Sequence, residues 1–205
     1  MVKDIKRGLS RLKIPEGVDV KIAGSAQDQA ESFRYLLTAL ILGIVLIYMV
    51  MAAQFESLLD PFIIMFSVPF AITGVIWALL ITGKTLNIIS FIGMIMLVGI
   101  VVNNAIVLVD YTNILRARGI SLREAILTSG RRRLRPILMT ALTTIFALLP
   151  LALSRGEGSE MWSTLAISVI GGLLVSTIVT LIFVPTIYSI LEERIKKNNQ
   201  RAKER

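Results

Sequence analysis

Leu97-Val98-Gly99-Ile100-Val101-Val102-Asn103-Asn104-Ala105-Ile106-Val107-Leu108-Val109-Asp110 places two adjacent amides inside an otherwise apolar run that extends back to Leu86 without a charged residue. Such a run crosses a hydrocarbon core of about 30 Å as a helix rising about 1.5 Å per residue. Four more runs of the same kind flank it, at 35–53, 61–82, 136–154 and 162–190, with 86–109 as the third of five. Strands at that depth would leave backbone groups unpaired in lipid, and the runs lack the two-residue alternation of barrel strands. The expected fold is an all-α polytopic membrane bundle of five transmembrane helices. The connections at 54–60, 83–85 and 155–160 are short, so consecutive helices are expected to be antiparallel neighbours.

Composition agrees with lipid as the solvent. The 205 residues are 55% hydrophobic, with a mean hydropathy of +0.75, too apolar for a domain that must show water a polar surface. The formal charge of +8 lies in blocks between the apolar runs, where Lys and Arg set topology; no nucleic-acid motif accompanies them, and no nucleic-acid partner is expected. The absence of Cys and His excludes disulfides, thiolate chemistry and imidazole acid–base work by this chain. Carboxylates, amides and hydroxyls are left to do chemistry; neither a cofactor nor a metal site is expected.

Residues 1–34 form the sizeable polar stretch ahead of the first span. Ile5, Leu9 and Leu12 recur at helical spacing, Pro15-Glu16-Gly17 breaks the pattern, and Val18, Val20 and Ile22 alternate as in a strand. A helix, a turn and one strand bury no core alone, so the segment reads as the α+β remnant of a larger domain. The 110–135 connection carries Arg116, Arg118, Arg123, Arg131, Arg132, Arg133 and Arg135, and 191–205 forms a basic tail. Both are expected in the cytoplasm, which puts residues 1–34 outside. That segment holds seven Lys and Arg and no export signal, and the reading that follows is truncation. Within the connection, Ser121 and Glu124 match a capping box that would start a short surface helix.

Buried amides need partners, since an unpaired one costs about 2–7 kcal/mol in an apolar medium. Two readings stand for Asn103 and Asn104: interhelical glue, each bond contributing about 0.6–2 kcal/mol, or members of a polar relay. Asp110, seven residues past Asn103, is an interfacial carboxylate or a weak proton-site candidate. Thr140, Thr143 and Thr144 share one face, follow Pro136 at an early helical position, and either bond back to their own helix or join the relay. Thr164, Ser168, Gly172, Ser176 and Thr180 recur every four residues, a ladder of small side chains that lets another backbone approach. Pro69 and Pro185 interrupt their helices.

Taken in order, Ala52-Ala53-Gln54-Phe55-Glu56-Ser57, Gly99 through Asp110, Arg133-Leu134-Arg135-Pro136-Ile137-Leu138-Met139-Thr140 and Phe183-Val184-Pro185 resemble the resistance-nodulation-division (RND) family, in its hydrophobe and multidrug branch. The resemblance runs from about Val18 onward. It implies the C-terminal transmembrane portion, spans eight to twelve, of a proton-driven efflux transporter, with residues 1–34 as the end of a periplasmic porter domain. Implied partners are membrane lipid, the absent N-terminal half, two further copies in a homotrimer, a periplasmic adaptor and, as a further candidate, an outer-membrane channel. The implied location is the inner (plasma) membrane. Asn104, Thr140 and Arg133 fall where the family places an asparagine, a threonine and an arginine of its ion-coupling relay. Asn103 stands where members often carry a lysine; an amide hydrogen-bonds a carboxylate without neutralising it, so the coupling residues are rearranged or the ion differs.

A rival from another class is a stand-alone structural or regulatory subunit that packs on a partner transporter through the ladder from Thr164 to Thr180. An intramembrane enzyme is disfavoured: the spans hold no His, no aspartate pair and no serine set as a nucleophile elbow.

Overall fold

The computed structural model describes residues 25–156 and 158–203, with side-chain surroundings from 28 to 190. Six helices follow one another: α1 (Ser25–Phe55), α2 (Leu59–Met65), α3 (Ser67–Thr82), α4 (Ile88–Ala117), α5 (Leu122–Ala152) and α6 (Ser159–Lys203). Five stretches are long and apolar enough to cross a membrane: Asp28–Phe55, Leu59–Ile81, Ile88–Ala117, Leu122–Ala152 and Ser159–Ile190. The second contains both α2 and α3. The helix steps at Phe66, three residues before Pro69, whose missing N–H leaves the Met65 carbonyl without its usual partner.

The described residues contain no strand. The expected α+β remnant is therefore not supported, and its strand at Val18, Val20 and Ile22 lies outside the described residues. Its last ten residues are helical instead, because α1 starts at Ser25. Asp28 in the first turn suits the positive end of the helix dipole. Ser32 and Thr38 bond back to carbonyls four residues earlier, at 2.8 and 2.9 Å, which satisfies their hydroxyls without unwinding the turns.

The segment between the third and fourth spans also differs from the expected long connection. α4 runs past Asp110 to Ala117, and α5 begins at Leu122. Gly119, at φ 83°, ends α4 in a Schellman motif: its N–H bonds Arg116 O at 2.9 Å and the Ile120 N–H bonds Leu115 O at 3.3 Å. Gly83, at φ 66°, ends α3 in the same way, through Leu80 O and Leu79 O. The capping box expected at Ser121 does not form, since its side chain accepts no cap hydrogen bond. One forms instead at the start of α4, where Asn87 Oδ1 accepts from Ser90 N at 2.8 Å and Ser90 Oγ from Asn87 N at 2.9 Å. Pro136 is internal to the continuous α5, not near its start.

α6 is the central helix and packs on α3, α4 and α5, while α1 touches α2 and α4 alone among the described elements. Thr164, Ser168, Gly172, Ser176 and Thr180 of α6 are all buried. A Cβ on Gly172 would stand 3.0 Å from Ala71 O of α3, and one on Gly93 of α4 would stand 3.4 Å from Ser168 Cβ. Small residues thus let three backbones converge, which is how helices associate where lipid supplies no hydrophobic drive. Two apolar clusters fill the bundle. One gathers Ile63, Ile64, Val98, Val102, Leu108 and Val184; the other gathers Val75, Leu79, Leu97, Val101, Val169 and Leu173.

Candidate functional site

α4 buries one face and leaves the other open. Along the open face Met96, Gly99, Asn103, Asp110 and Ile114 are exposed, while Val101, Val102, Asn104, Ala105, Leu108 and Val109 are buried. The adjacent amides part company because neighbours on a helix sit about 100° apart and the edge of the packed face falls between these two. Asn103 points to the open face and makes no hydrogen bond within the described residues. Asn104 is 8% exposed, and its Oδ1 lies 3.5 Å from Thr140 Oγ1 of α5.

The Thr140 hydroxyl has one hydrogen and three acceptors within reach: Ile137 O at 3.0 Å, Pro136 O at 3.2 Å and Asn104 Oδ1 at 3.5 Å. The local bond is the shortest, so Thr140 serves its own helix first and Asn104 second. Pro136 matters here, because its ring removes the N–H that would bond Arg132 O. Thr144 Oγ1 bonds Thr140 O at 2.9 Å. Thr143 is exposed.

Arg133 is not brought to the amides. Its guanidinium carbon sits 4.6 Å from the centre of the Tyr111 ring, and its Nε is buried without a hydrogen-bond partner in the described residues. Arg132 donates to Tyr111 Oη at 2.7 Å. Two arginines of α5 thus converge on one tyrosine of α4, an attraction of charge to ring face that strengthens as water is removed. Asp110, next to that tyrosine, is exposed on the open face with Asn103.

A second polar cluster was missed by sequence reasoning. Tyr188 of α6 donates its hydroxyl to Asn113 Oδ1 of α4, and Asn113 Nδ2 donates to Asp60 Oδ2 of α2 at 2.8 Å. Arg116 Nη1 reaches Tyr188 Oη at 3.5 Å. A carboxylate only accepts, so the amide must turn its NH₂ to Asp60 and its carbonyl to the tyrosine. The residues lie 53 and 75 positions apart in sequence. A faint signal was available: each is a polar side chain near the end of an apolar run.

The AcrB/AcrD/AcrF family model matches residues 1–192. The chain belongs to that family, whose members are RND transporters. Among its relatives, the swarming motility protein SwrC of Bacillus subtilis is 44% identical over 94% of this chain. The multidrug resistance protein MdtC of Proteus mirabilis is 37% identical over 91% of it. The chain spans 18% of the length of each of these relatives. The crystal structure of a heavy metal efflux pump superposes with a TM-score of 0.81 at 31% identity, covering 94% of this chain and 19% of the pump. This RND-family chain is thus a five-span helical membrane bundle. The names of these three proteins concern motility, multidrug resistance and metal efflux, and each applies to its own protein.

Proposed function

We propose that this chain forms spans eight to twelve of an RND efflux transporter, driven by the proton-motive force and exporting hydrophobic or multidrug cargo. Its role is to face the ion-coupling groups of an N-terminal half with Asn103 and to pass their protonation on through Asn104, Thr140 and the packed face of α4. The observation that carries this reading is the split of the two amides. Asn103 stands on the open face of α4, and the most apolar windows of α1 and α5, which both touch α4, are only 11% buried, against 56% for α4. An amide on an apolar face needs a polar partner from outside the described bundle.

The multidrug cargo rests on the sequence resemblance and on the name of the Proteus relative; the metal pump is its rival. Proton antiport is an expectation of the family. On the same footing the chain lies in the inner (plasma) membrane, with its N-terminus outside and its basic blocks in the cytoplasm. It works as one copy in a trimer with a periplasmic adaptor.

The experiment is export by the complete transporter carrying Asn103→Lys, Asn103→Ala or Thr140→Ala, with membrane abundance measured alongside. Loss of export at normal abundance supports the relay. A fall in abundance alone makes the amides packing groups. If Asn103→Lys leaves the ion dependence of export unchanged, Asn103 does not occupy the relay position.

A further inference from the structure

Pro185 divides α6 into two parts that are held separately. Ahead of it, Gly171 and Gly172 cross α3 in close contact with Gly74: Cβ atoms built on Gly171 and Gly74 would stand 3.0 and 2.8 Å from the other helix's carbonyl oxygen. Phe183 packs on Phe70 of α3 with ring centres 5.0 Å apart. At Pro185 the missing N–H leaves Leu181 O without its helical partner, which is where a helix bends most readily. Beyond it, Tyr188, 4% exposed, is tied to Asn113 of α4 and through it to Asp60 of α2. Between these anchors a small cavity opens, with Val184, Pro185 and Tyr188 of α6 on one side and Leu108, Val109 and Thr112 of α4 on the other.

We infer that Tyr188, Asn113 and Asp60 are positioning residues. They form a latch that docks the part of α6 beyond Pro185 onto α4 and α2, and the proline is the hinge the latch controls. A hinge needs a bend point and a contact that selects one position, and both lie within one turn here. The hydrogen bonds are directional and each partner is satisfied, so the docked position is specified and not merely allowed. A shift of α4 against α6 then either carries the end of α6 with it or releases the latch. The inference rests on the packing of this chain and on neither the coupling ion nor the cargo, so the Asn103 variants and the latch variants report on different things.

The test uses the complete transporter with spin labels on Ile114→Cys and Ile190→Cys, positions 38% and 51% exposed. This chain has no native cysteine to interfere, and any elsewhere in the transporter are replaced. With Tyr188 intact, one inter-label distance is expected. Tyr188→Phe keeps the ring and removes the hydroxyl with its bond to Asn113 and the longer one from Arg116, so a second, longer distance appears, the docked-to-released ratio shifting by about fivefold or more. Adding Pro185→Ala restores helical continuity and with it the single distance. A cluster that merely adds stability predicts no rescue by Pro185→Ala. An unchanged distribution in Tyr188→Phe, or a double variant that stays split, overturns the latch. Should Tyr188→Phe fail to assemble, recovery of assembly in the double variant supports it and continued failure overturns it.

Discussion

Leu97 of α4 fills the niche that a side chain on Gly172 of α6 would need: a Cβ there would lie 2.0 Å from Leu97 Cδ2. Leu97 is fully buried. Backbone blocks the other side, with Ala71 O 3.0 Å away. Gly172 is thus one of the glycines, with Gly171, Gly74 and Gly93, whose missing side chains allow the close approach of α6 to α3 and α4.

Gly172→Ala is therefore expected to destabilise the bundle by about 1–3 kcal/mol, the usual cost of overpacking a filled core. Gly43→Ala is the control, since a Cβ at Gly43 meets nothing within 4 Å. Thermal inactivation of the purified complete transporter gives the comparison. Equal midpoints for Gly172→Ala and the unaltered protein would refute tight packing at this crossing.

Thr140 and Asn104 are expected to couple weakly. At 3.5 Å the contact is the longest of the three that Thr140 makes. A double-mutant cycle on Thr140→Val and Asn104→Ala should return a stability coupling below about 1 kcal/mol. If export falls far more than stability, the pair acts in the transport cycle. A coupling well above that bound would show that Asn104 is the main partner of Thr140.

Tyr111 offers two functions that substitution separates. Tyr111→Phe removes the acceptor of Arg132 but keeps the ring beneath Arg133. The expected loss in stability is small, because Arg132 is exposed and turns to water. Tyr111→Leu also removes the ring and leaves a partly buried guanidinium over an aliphatic surface, so it is expected to cost more. Unfolding midpoints of the two variants decide it, and equal losses would mean that the ring contributes nothing.

How far the fold was legible follows from these particulars. The five spans were readable because apolar length is a local property of the chain. Their ends were less so: Gly119 was available as a helix stop, yet the seven arginines of 110–135 drew the reading towards a long surface connection. Ser121 and Glu124 fit a common capping pattern that the structure does not use, while Asn87 and Ser90 form one that serine-to-serine or asparagine-to-serine spacing advertises weakly. At the candidate site the sequence showed Asn103 and Asn104 as a pair, but only packing tells which of two neighbours is buried. The Tyr188–Asn113–Asp60 chain joins three helices, and no local pattern announces a contact across such separations.

The proposed topology makes the last prediction, and the chain's lack of cysteine makes it clean. The helix joins fall near Ser57, Lys84, Arg118 and Arg155. Five crossings with the arginine-bearing α4–α5 join in the cytoplasm put Ser57 there as well, and Lys84 and Arg155 outside. Single cysteines at these four positions in the otherwise cysteine-free transporter are then treated with an impermeant maleimide on intact cells. Lys84→Cys and Arg155→Cys are expected to label at once, Ser57→Cys and Arg118→Cys only after the membrane is opened. The reversed pattern would mean that the arginines do not set the orientation. Two successive joins that label alike would instead mean that the stretch between them does not cross, and α5, less buried than the other two stretches these joins bracket, would be the first to re-examine.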